Sequence, residues 1–245
     1  MMPVLQVGPI AIPLPGFLLI LGIWLGLSLA ERYAPRRGIS GDKLFNLAFI
    51  AMLSGLIGAR LAYVLRYPAA FASNPMDIFS RNPGLLDPWG GLWIGLLGWA
   101  IYLQRKKLPV WQTLDALTPA LAVVAISLSL SHLASGDAYG APANLPWSIE
   151  LWGARRHPSQ IYAFLAALVI LIFLWPARKR IQSLQPGVYF LGFLALSAGA
   201  HLFLEIFRGD SQLTYLGIRT SQLIAWMALA VCLYILGRRL KFDRT

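Results

Sequence analysis

The sequence has 245 residues, of which 58% are hydrophobic and 13% are charged, and its mean hydropathy is +0.63. Soluble proteins average about 45–50% apolar and about 25% charged residues, so this composition excludes a disordered chain and argues against a soluble globule. One membrane span needs about 20 apolar residues, and seven spans with their connections account for nearly all of this length. We therefore expect a single membrane domain over residues 1–245.

The formal net charge is +11, and strongly basic chains often bind nucleic acid. Here the basic residues lie in short clusters between apolar runs, which is typical of membrane topology and not of a nucleic-acid surface. The single cysteine, Cys232, excludes a disulfide framework or a thiolate metal cluster within one chain.

Seven apolar runs predict an all-α membrane protein with seven transmembrane helices. In chain order they lie near residues 10–30, 44–65, 89–104, 113–135, 159–175, 187–207 and 217–236. The first run has no charged residue before Glu31 and no cleavage pattern followed by a soluble domain. We therefore expect a retained span there and not a signal peptide.

The loops between these runs alternate in charge. The segments after spans one, three, five and seven hold 14 of the 21 Lys and Arg residues. The positive-inside rule therefore predicts an N-terminus outside the cell and a C-terminus in the cytoplasm. Seven spans in this orientation invite comparison with retinal proteins, but the last run contains no lysine for a Schiff base.

Three ionisable residues lie within the predicted spans: Arg60, His201 and Glu205. An ionisable side chain in hydrocarbon costs a few kcal/mol, about 2.5–3.5 for Arg or Asp on insertion scales, so each needs a partner or a function. His201 and Glu205 are four residues apart and share one helix face. We expect Arg60, beside the small residues Gly55 and Gly58, to face the bundle interior and pair with Glu205. Alternatively, these residues only lock helices together, and His201 is a structural histidine.

The segment before the fifth span predicts an anion site. Pro158 suits the first helical position, with His157 as the N-cap, and helix N-termini favour anions. Arg155 and Arg156 precede that end, which indicates a phosphate site at the depth of lipid headgroups. The alternative is that these residues only anchor the chain at the membrane interface.

Two other outer loops carry turn and capping residues. Asp87, before Pro88 and two glycines, predicts a cap for the third span, either with a functional role or as ordinary capping beside an aromatic belt. The loop GDAYG at 136–140 continues through proline-rich sequence to LPW at 145–147, which favours a structured, cavity-lining loop over a simple surface loop.

Several classes of site are absent from the sequence. It has no HExxH metal motif, no GxxxxGK[ST] phosphate loop and no GxSxG nucleophile turn. Its three histidines lie in three separate segments, so we predict no metal and no cofactor. A transporter is disfavoured because no pair of matching interrupted spans is present.

The motifs RHPSQIY at 156–162, GDAYG with LPW, GARL at 58–61 and EIFR at 205–208 occur in an order that resembles the bacterial prolipoprotein diacylglyceryl transferases. The matches extend from about residue 44 to residue 236. That family consists of seven-span inner-membrane enzymes. The resemblance implies transfer of the diacylglyceryl group of phosphatidylglycerol to the thiol of a lipobox cysteine in a prolipoprotein signal peptide, with release of glycerol phosphate.

The residues that match the family's motifs, together with two histidines that stand where the family has other residues, give a set of predicted site residues. We predict three catalytic residues, which are His132, His201 and Glu205. We predict seven residues that bind substrate, which are Arg60, Asp137, Gly140, Arg156, His157, Gln160 and Arg208.

This chain departs from the family at important positions. The family's His-Gly-Gly is Trp89-Gly90-Gly91 here, so the histidine often proposed as a base is absent. One family arginine is Ser129 and a nearby asparagine is His132, while another arginine is His201. Two hypotheses follow: the histidines replace the missing groups and lipid transfer persists, or the chain is a catalytically silent paralogue that binds lipid or lipoprotein.

Overall fold

A computed structural model describes residues 4–7, 10–80, 82–176, 179, 184–213 and 219–241. The described chain is mostly helical. Its helices are α1 (Leu14–Tyr33), α2 (Gly41–Arg66), α3 (Pro68–Ala72), α4 (Pro88–Arg105), α5 (Val110–Ser135), α6 (Ser159–Phe173), α7 (Val188–Leu204) and α8 (Thr220–Lys241). Its strands are β1 (Val4–Val7), β2 (Ile10–Pro13), β3 (Ile149–Leu151) and β4 (Ala154–Arg156).

Each of the seven predicted spans coincides with one of the longer helices. Five helical segments are long and apolar enough to cross a membrane: Leu14–Arg37, Gly41–Arg66, Val110–Ser135, Val188–Phe207 and Thr220–Leu240. Helix α6 is apolar but shorter, and α4 is not among the five. The chain is thus a largely α-helical protein with several membrane-compatible helices, and the count of seven spans stays a prediction.

The start of the first predicted span is wrong. Residues Ile10–Pro13 form β2, which pairs antiparallel with β1, and the helix begins only at Leu14. Pro13 and Pro15 explain the difference, because proline removes a backbone donor and suits only the first turn of a helix. Residues 217 and 218, at the start of the last predicted span, lie outside the described part of the chain.

Helices α2 and α4 approach each other closely through small residues. A Cβ atom added at Gly58 would lie 2.3 Å from Cβ of Ile94, and one added at Gly55 would lie 3.2 Å from the carbonyl oxygen of Gly91. The small residues beside Arg60 therefore allow the two helices to pack closely. The main chain adds to this contact, since the Asp87 N–H donates to the carbonyl of Ala59 at 2.9 Å.

A buried ionic cluster joins α5 to the start of α7. The carboxylate of Asp115 accepts hydrogen bonds from the N–H groups of Gly187 and Phe190, both at 2.8 Å, and lies 3.7 Å from Nη1 of Arg37. Asp115 therefore caps α7 from another helix, which compensates its full burial. The surrounding core consists of aromatic and aliphatic side chains of α1, α5, α6 and α7, including Tyr33 and Tyr189.

The loop between α5 and α6 contains the hairpin β3–β4, in which Ile149 pairs with Arg156 and Leu151 with Ala154. Isolated bridges join Pro142 to Arg156 and Gly140 to Arg208. Main-chain hydrogen bonds therefore hold the loop against the segment after α7. These short strands are an addition to the predicted all-α fold, and they place residues 140, 156 and 208 side by side.

Candidate functional site

A cavity of about 250 Å³ lies between α5, α6 and α7. Most of its wall is apolar, and small residues such as Ala125, Ala163, Ala166 and Ala200 leave the space open. Three basic side chains line the end nearest the loop between α5 and α6; they are His132, His201 and Arg208. An apolar cavity with a basic end has the shape and chemistry to hold an amphiphile that carries an anion.

Glu205 lies directly beside this cavity and is almost completely buried, with 1% of its surface exposed. Its Oε1 accepts hydrogen bonds from the hydroxyls of Ser211 and Ser221. Its Oε2 has no hydrogen-bond partner among the described residues, and it lies 3.6 Å from Nε2 of His201 and 3.8 Å from Nε of Arg208. The two predicted catalytic residues His201 and Glu205 are therefore adjacent.

Arg208 immediately follows the membrane-compatible segment Val188–Phe207. Its Nε and Nη2 donate to the two carboxylate oxygens of Asp210 at 2.9 and 2.8 Å. Burial alone would lower the pKa of Arg208, but the hydrogen bonds to Asp210 and the nearby charge of Glu205 raise it above its ordinary value. The guanidinium therefore stays charged at the cavity. Arg219 fixes the main chain here, since its Nη1 donates to the carbonyls of Glu205 and Arg208.

His132 occupies the last turn of α5, where its carbonyl accepts from the N–H of Gly136 at 2.8 Å. The left-handed conformation of Gly136, with φ of +78°, ends the helix there. The half-buried imidazole of His132 faces the same cavity as His201, and no hydrogen bond to it is made by any residue in the described ranges.

Arg60 does not belong to this cluster. Its guanidinium donates to the carbonyl of Leu85 at 2.8 Å and to that of Ser80, and it lines a separate cleft of about 550 Å³ with Ile57 and Phe79. The predicted pair between Arg60 and Glu205 is wrong. The reason is that α2 packs on α4, so the loop before α4 supplies the acceptors that Arg60 needs.

The loop residues predicted to bind substrate form a connected network. The side chain of Gln160 is buried, and its Nε2 donates to the carbonyl of Asp137 at 2.8 Å. Its Oε1 has no hydrogen-bond partner in the part of the chain that the structure describes. The carboxylate of Asp137 accepts from the Ser135 hydroxyl at 2.6 Å. The Ser159 hydroxyl donates to the carbonyl of Ala138 at 2.6 Å, so the first turn of α6 holds this loop in place.

Gly140 lies where the loop crosses the start of α6. A Cβ atom at this position would be 2.1 Å from the carbonyl oxygen of His157 and 2.7 Å from its Cβ, so only glycine fits. Arg156 donates to the carbonyls of Gly140 and Leu151 at 3.3 and 3.0 Å, and its guanidinium lies 4.8 Å from the ring centre of Tyr139. Arg156 is thus partly engaged within the loop.

The predicted N-cap of α6 is displaced by one residue. The helix begins at Ser159 with Pro158 in the N-cap position, because Pro158 has a ψ of 63° that is not helical. His157 instead packs its ring against Phe207 with ring centres 5.2 Å apart, and its Nδ1 lies 3.5 Å from the hydroxyl of Tyr162. His157 therefore connects the loop to the segment after α7.

The predicted cap at Asp87 is confirmed. Its carboxylate accepts from the N–H of Gly90 at 2.7 Å and lies 3.1 Å from Nη1 of Arg66. The hydrogen bond from Gly90 is the main cause that lowers the pKa of Asp87, with Arg66 adding to it. Trp89 is 67% exposed and lines neither of the cavities described above.

Three residues that sequence reasoning missed support Glu205: Ser211, Ser221 and Arg219. No motif marks them, because they reach Glu205 from two separate segments. The sequence signals are weak: Ser221 stands at the start of an apolar run, and Arg219 lies one residue before α8. Among the residues that the structure describes, no three His, Cys, Asp or Glu side chains are grouped as metal ligands.

Comparison with known proteins gives a consistent result. A family model described as prolipoprotein diacylglyceryl transferase matches residues 3–238. The chain is similar to the phosphatidylglycerol–prolipoprotein diacylglyceryl transferase of Synechococcus elongatus, with 27% identity over 92% of this chain and 82% of the relative. It is 28% identical to the Clostridium botulinum protein of that name over 98% and 97% of the two chains. The Nostoc sp. protein is 29% identical over 94% and 86%.

Proposed function

Because this chain belongs to the prolipoprotein diacylglyceryl transferase family, we propose that it transfers the diacylglyceryl group of phosphatidylglycerol to the cysteine thiol of a prolipoprotein. One observation carries the proposal: His132, His201 and Arg208 line a single apolar cavity, and Glu205 lies beside it. A phospholipid has this same combination of an apolar body and an anionic head.

The cavity separates the tasks of binding and charge stabilisation. The alanine-lined wall accepts part of an acyl chain, and the basic end accepts the phosphate. Arg208 uses Nε and Nη2 for Asp210, which leaves Nη1 to donate to a phosphate oxygen. The loop residues Asp137, Gly140, Arg156, His157 and Gln160 form the adjacent rim, which we propose contacts the headgroup and the peptide. A role for Arg60 in binding substrate stays a prediction.

The reaction needs a base for the thiol and a cation for the leaving group. We propose that a histidine at the cavity accepts the thiol proton. The thiolate then attacks the carbon of the diacylglyceryl group that is bonded to the phosphate oxygen. A carbon–sulfur bond forms, the carbon–oxygen bond breaks, and its electron pair leaves on glycerol phosphate. Arg208 stabilises that leaving charge, and Glu205 stabilises the protonated histidine.

The proposed membrane arrangement follows the charge of the loops. With seven spans, an outer N-terminus and a cytoplasmic C-terminus, 14 of the 21 basic residues are cytoplasmic. The cavity then opens near the outer surface of a bacterial inner membrane, where a prolipoprotein signal peptide emerges.

A catalytically silent, lipid-binding paralogue is the second candidate. It is favoured by the exposed Trp89 at the position of the family's histidine. Expression in cells depleted of their own transferase, followed by labelling with a lipid probe, separates the two. Restored labelling that is lost in His132→Ala and His201→Ala supports transfer; labelling that appears only with Trp89→His supports the silent paralogue.

A further inference from the structure

The carboxylate of Glu205 is held asymmetrically. Both serine hydroxyls in its surroundings, from Ser211 and Ser221, donate to the same oxygen, Oε1. Oε2 is buried, and no residue in the described part of the chain donates a hydrogen bond to it. Burying a carboxylate oxygen that has no hydrogen-bond donor costs folding free energy, so we ask which neighbouring group can donate to it.

Among the described residues, two basic side chains lie within 4 Å of Oε2, and they differ in whether the nearest nitrogen already donates a hydrogen bond elsewhere. Nε of Arg208 lies 3.8 Å away but already donates to Asp210 at 2.9 Å. Nε2 of His201 lies 3.6 Å away, and no shorter bond to another described residue competes for it. His201 is therefore the donor for Oε2 once the two groups move together by a few tenths of an ångström, as hydrogen bonds in unliganded sites often do.

We propose that Ser211 and Ser221 are positioning residues that hold Oε1 of Glu205, so that Oε2 fixes the neutral tautomer of His201 with its proton on Nε2. Nδ1 is then the nitrogen without a proton, and it is the atom that accepts the thiol proton. This inference rests on the proposed function, because it assigns the acceptor atom of that reaction. The hydrogen bond of one imidazole nitrogen decides the role of the other.

The proton balance is simple. The thiol proton moves to Nδ1, the imidazolium carries the charge beside Oε2, and the proton passes to solvent after glycerol phosphate has left. Without the two hydroxyls, the carboxylate turns away from His201, so Nε2 loses the acceptor that fixes the tautomer. Binding of phosphatidylglycerol is unaffected, since neither serine lines the cavity.

Nitrogen-15 NMR of histidine-labelled protein in detergent tests the proposal directly. The chain has only three histidines, so His132→Gln and His157→Gln variants assign the His201 signals. We expect the Nε2–H tautomer in the unmodified protein and a mixture in the double variant Ser211→Ala, Ser221→Ala. Ser28→Ala is the matched control, because its hydroxyl donates only to the carbonyl of Trp24 in its own helix.

Kinetics give the second readout. We expect kcat of the double variant to fall about tenfold, as for loss of an orienting contact to a functional histidine, with KM for phosphatidylglycerol unchanged. A His201 protonated on Nδ1 in the unmodified protein, or a double variant that keeps the Nε2–H tautomer, overturns the proposal. If the double variant does not fold, each single variant is expected to show a smaller shift in the same direction, and two unshifted single variants also overturn it. Absence of transfer by the unmodified protein rejects the proposed function instead, and the tautomer measurement is then still decisive.

Discussion

Replacing Gly140 with alanine tests how closely the loop must approach α6. The added Cβ would lie 2.1 Å from the carbonyl oxygen of His157, whereas real Cβ contacts are hardly ever under 3.0 Å. The two backbones must therefore separate by about 0.9 Å. This displacement moves Arg156 and His157, because the carbonyl of Gly140 accepts from the Arg156 guanidinium and the carbonyl of Ala141 accepts from the N–H of His157.

A misplacement of about 1 Å typically costs about 100-fold in rate, so we expect Gly140→Ala to lower diacylglyceryl transfer by about two orders of magnitude. The assay is transfer to a lipobox peptide in detergent, at equal amounts of folded protein. Gly199→Ala is the matched control, since a Cβ there meets no atom within 4 Å. A rate for Gly140→Ala within about threefold of the control would refute the argument that this close approach matters.

Three further predictions concern stability and the separate cleft. Asp115→Ala removes the buried carboxylate that caps α7 and lies 3.7 Å from Nη1 of Arg37, so it should cost about 3–5 kcal/mol, seen as a lower Tm in detergent. An unchanged Tm would contradict the capping role. The pKa of Asp87 is lowered in the folded protein, so above about pH 4 we expect the unmodified protein to be more stable than Asp87→Asn. This advantage should vanish as the pH falls through the lowered pKa. A difference in Tm between the two proteins that is the same at pH 7 and at pH 3 would contradict this expectation. Arg60→Gln should lower Tm, because the carbonyls of Ser80 and Leu85 lose a charged donor. The rate of transfer should stay within about tenfold of that of the unmodified protein. Abolished transfer at an unchanged Tm would place Arg60 in the active site.

The helices were predictable from sequence because their signals are local. Apolar runs of sufficient length must become helices in lipid, where every backbone polar group needs an internal partner. Proline and capping acids then mark the starts, as Asp87 and Pro88 do for α4. The same logic failed at residues 10–13, where prolines on both sides allow a strand instead.

The site was predictable only in part, because its contacts join distant segments. The pairing of His201 with Glu205 follows from their spacing on one helix. The partner of Arg60 does not, since it depends on which helix packs against α2. Ser211 and Ser221 also escape prediction, because nothing in their spacing shows that both reach one carboxylate oxygen.

The most direct measurement is the release of glycerol phosphate from phosphatidylglycerol by the purified protein with a lipobox peptide. The account predicts release that requires the peptide cysteine, equals the thioether formed, and is lost in the double variant His132→Ala, His201→Ala. Saturable binding of phosphatidylglycerol with no release, under conditions in which a relative of the same family is active, would contradict it.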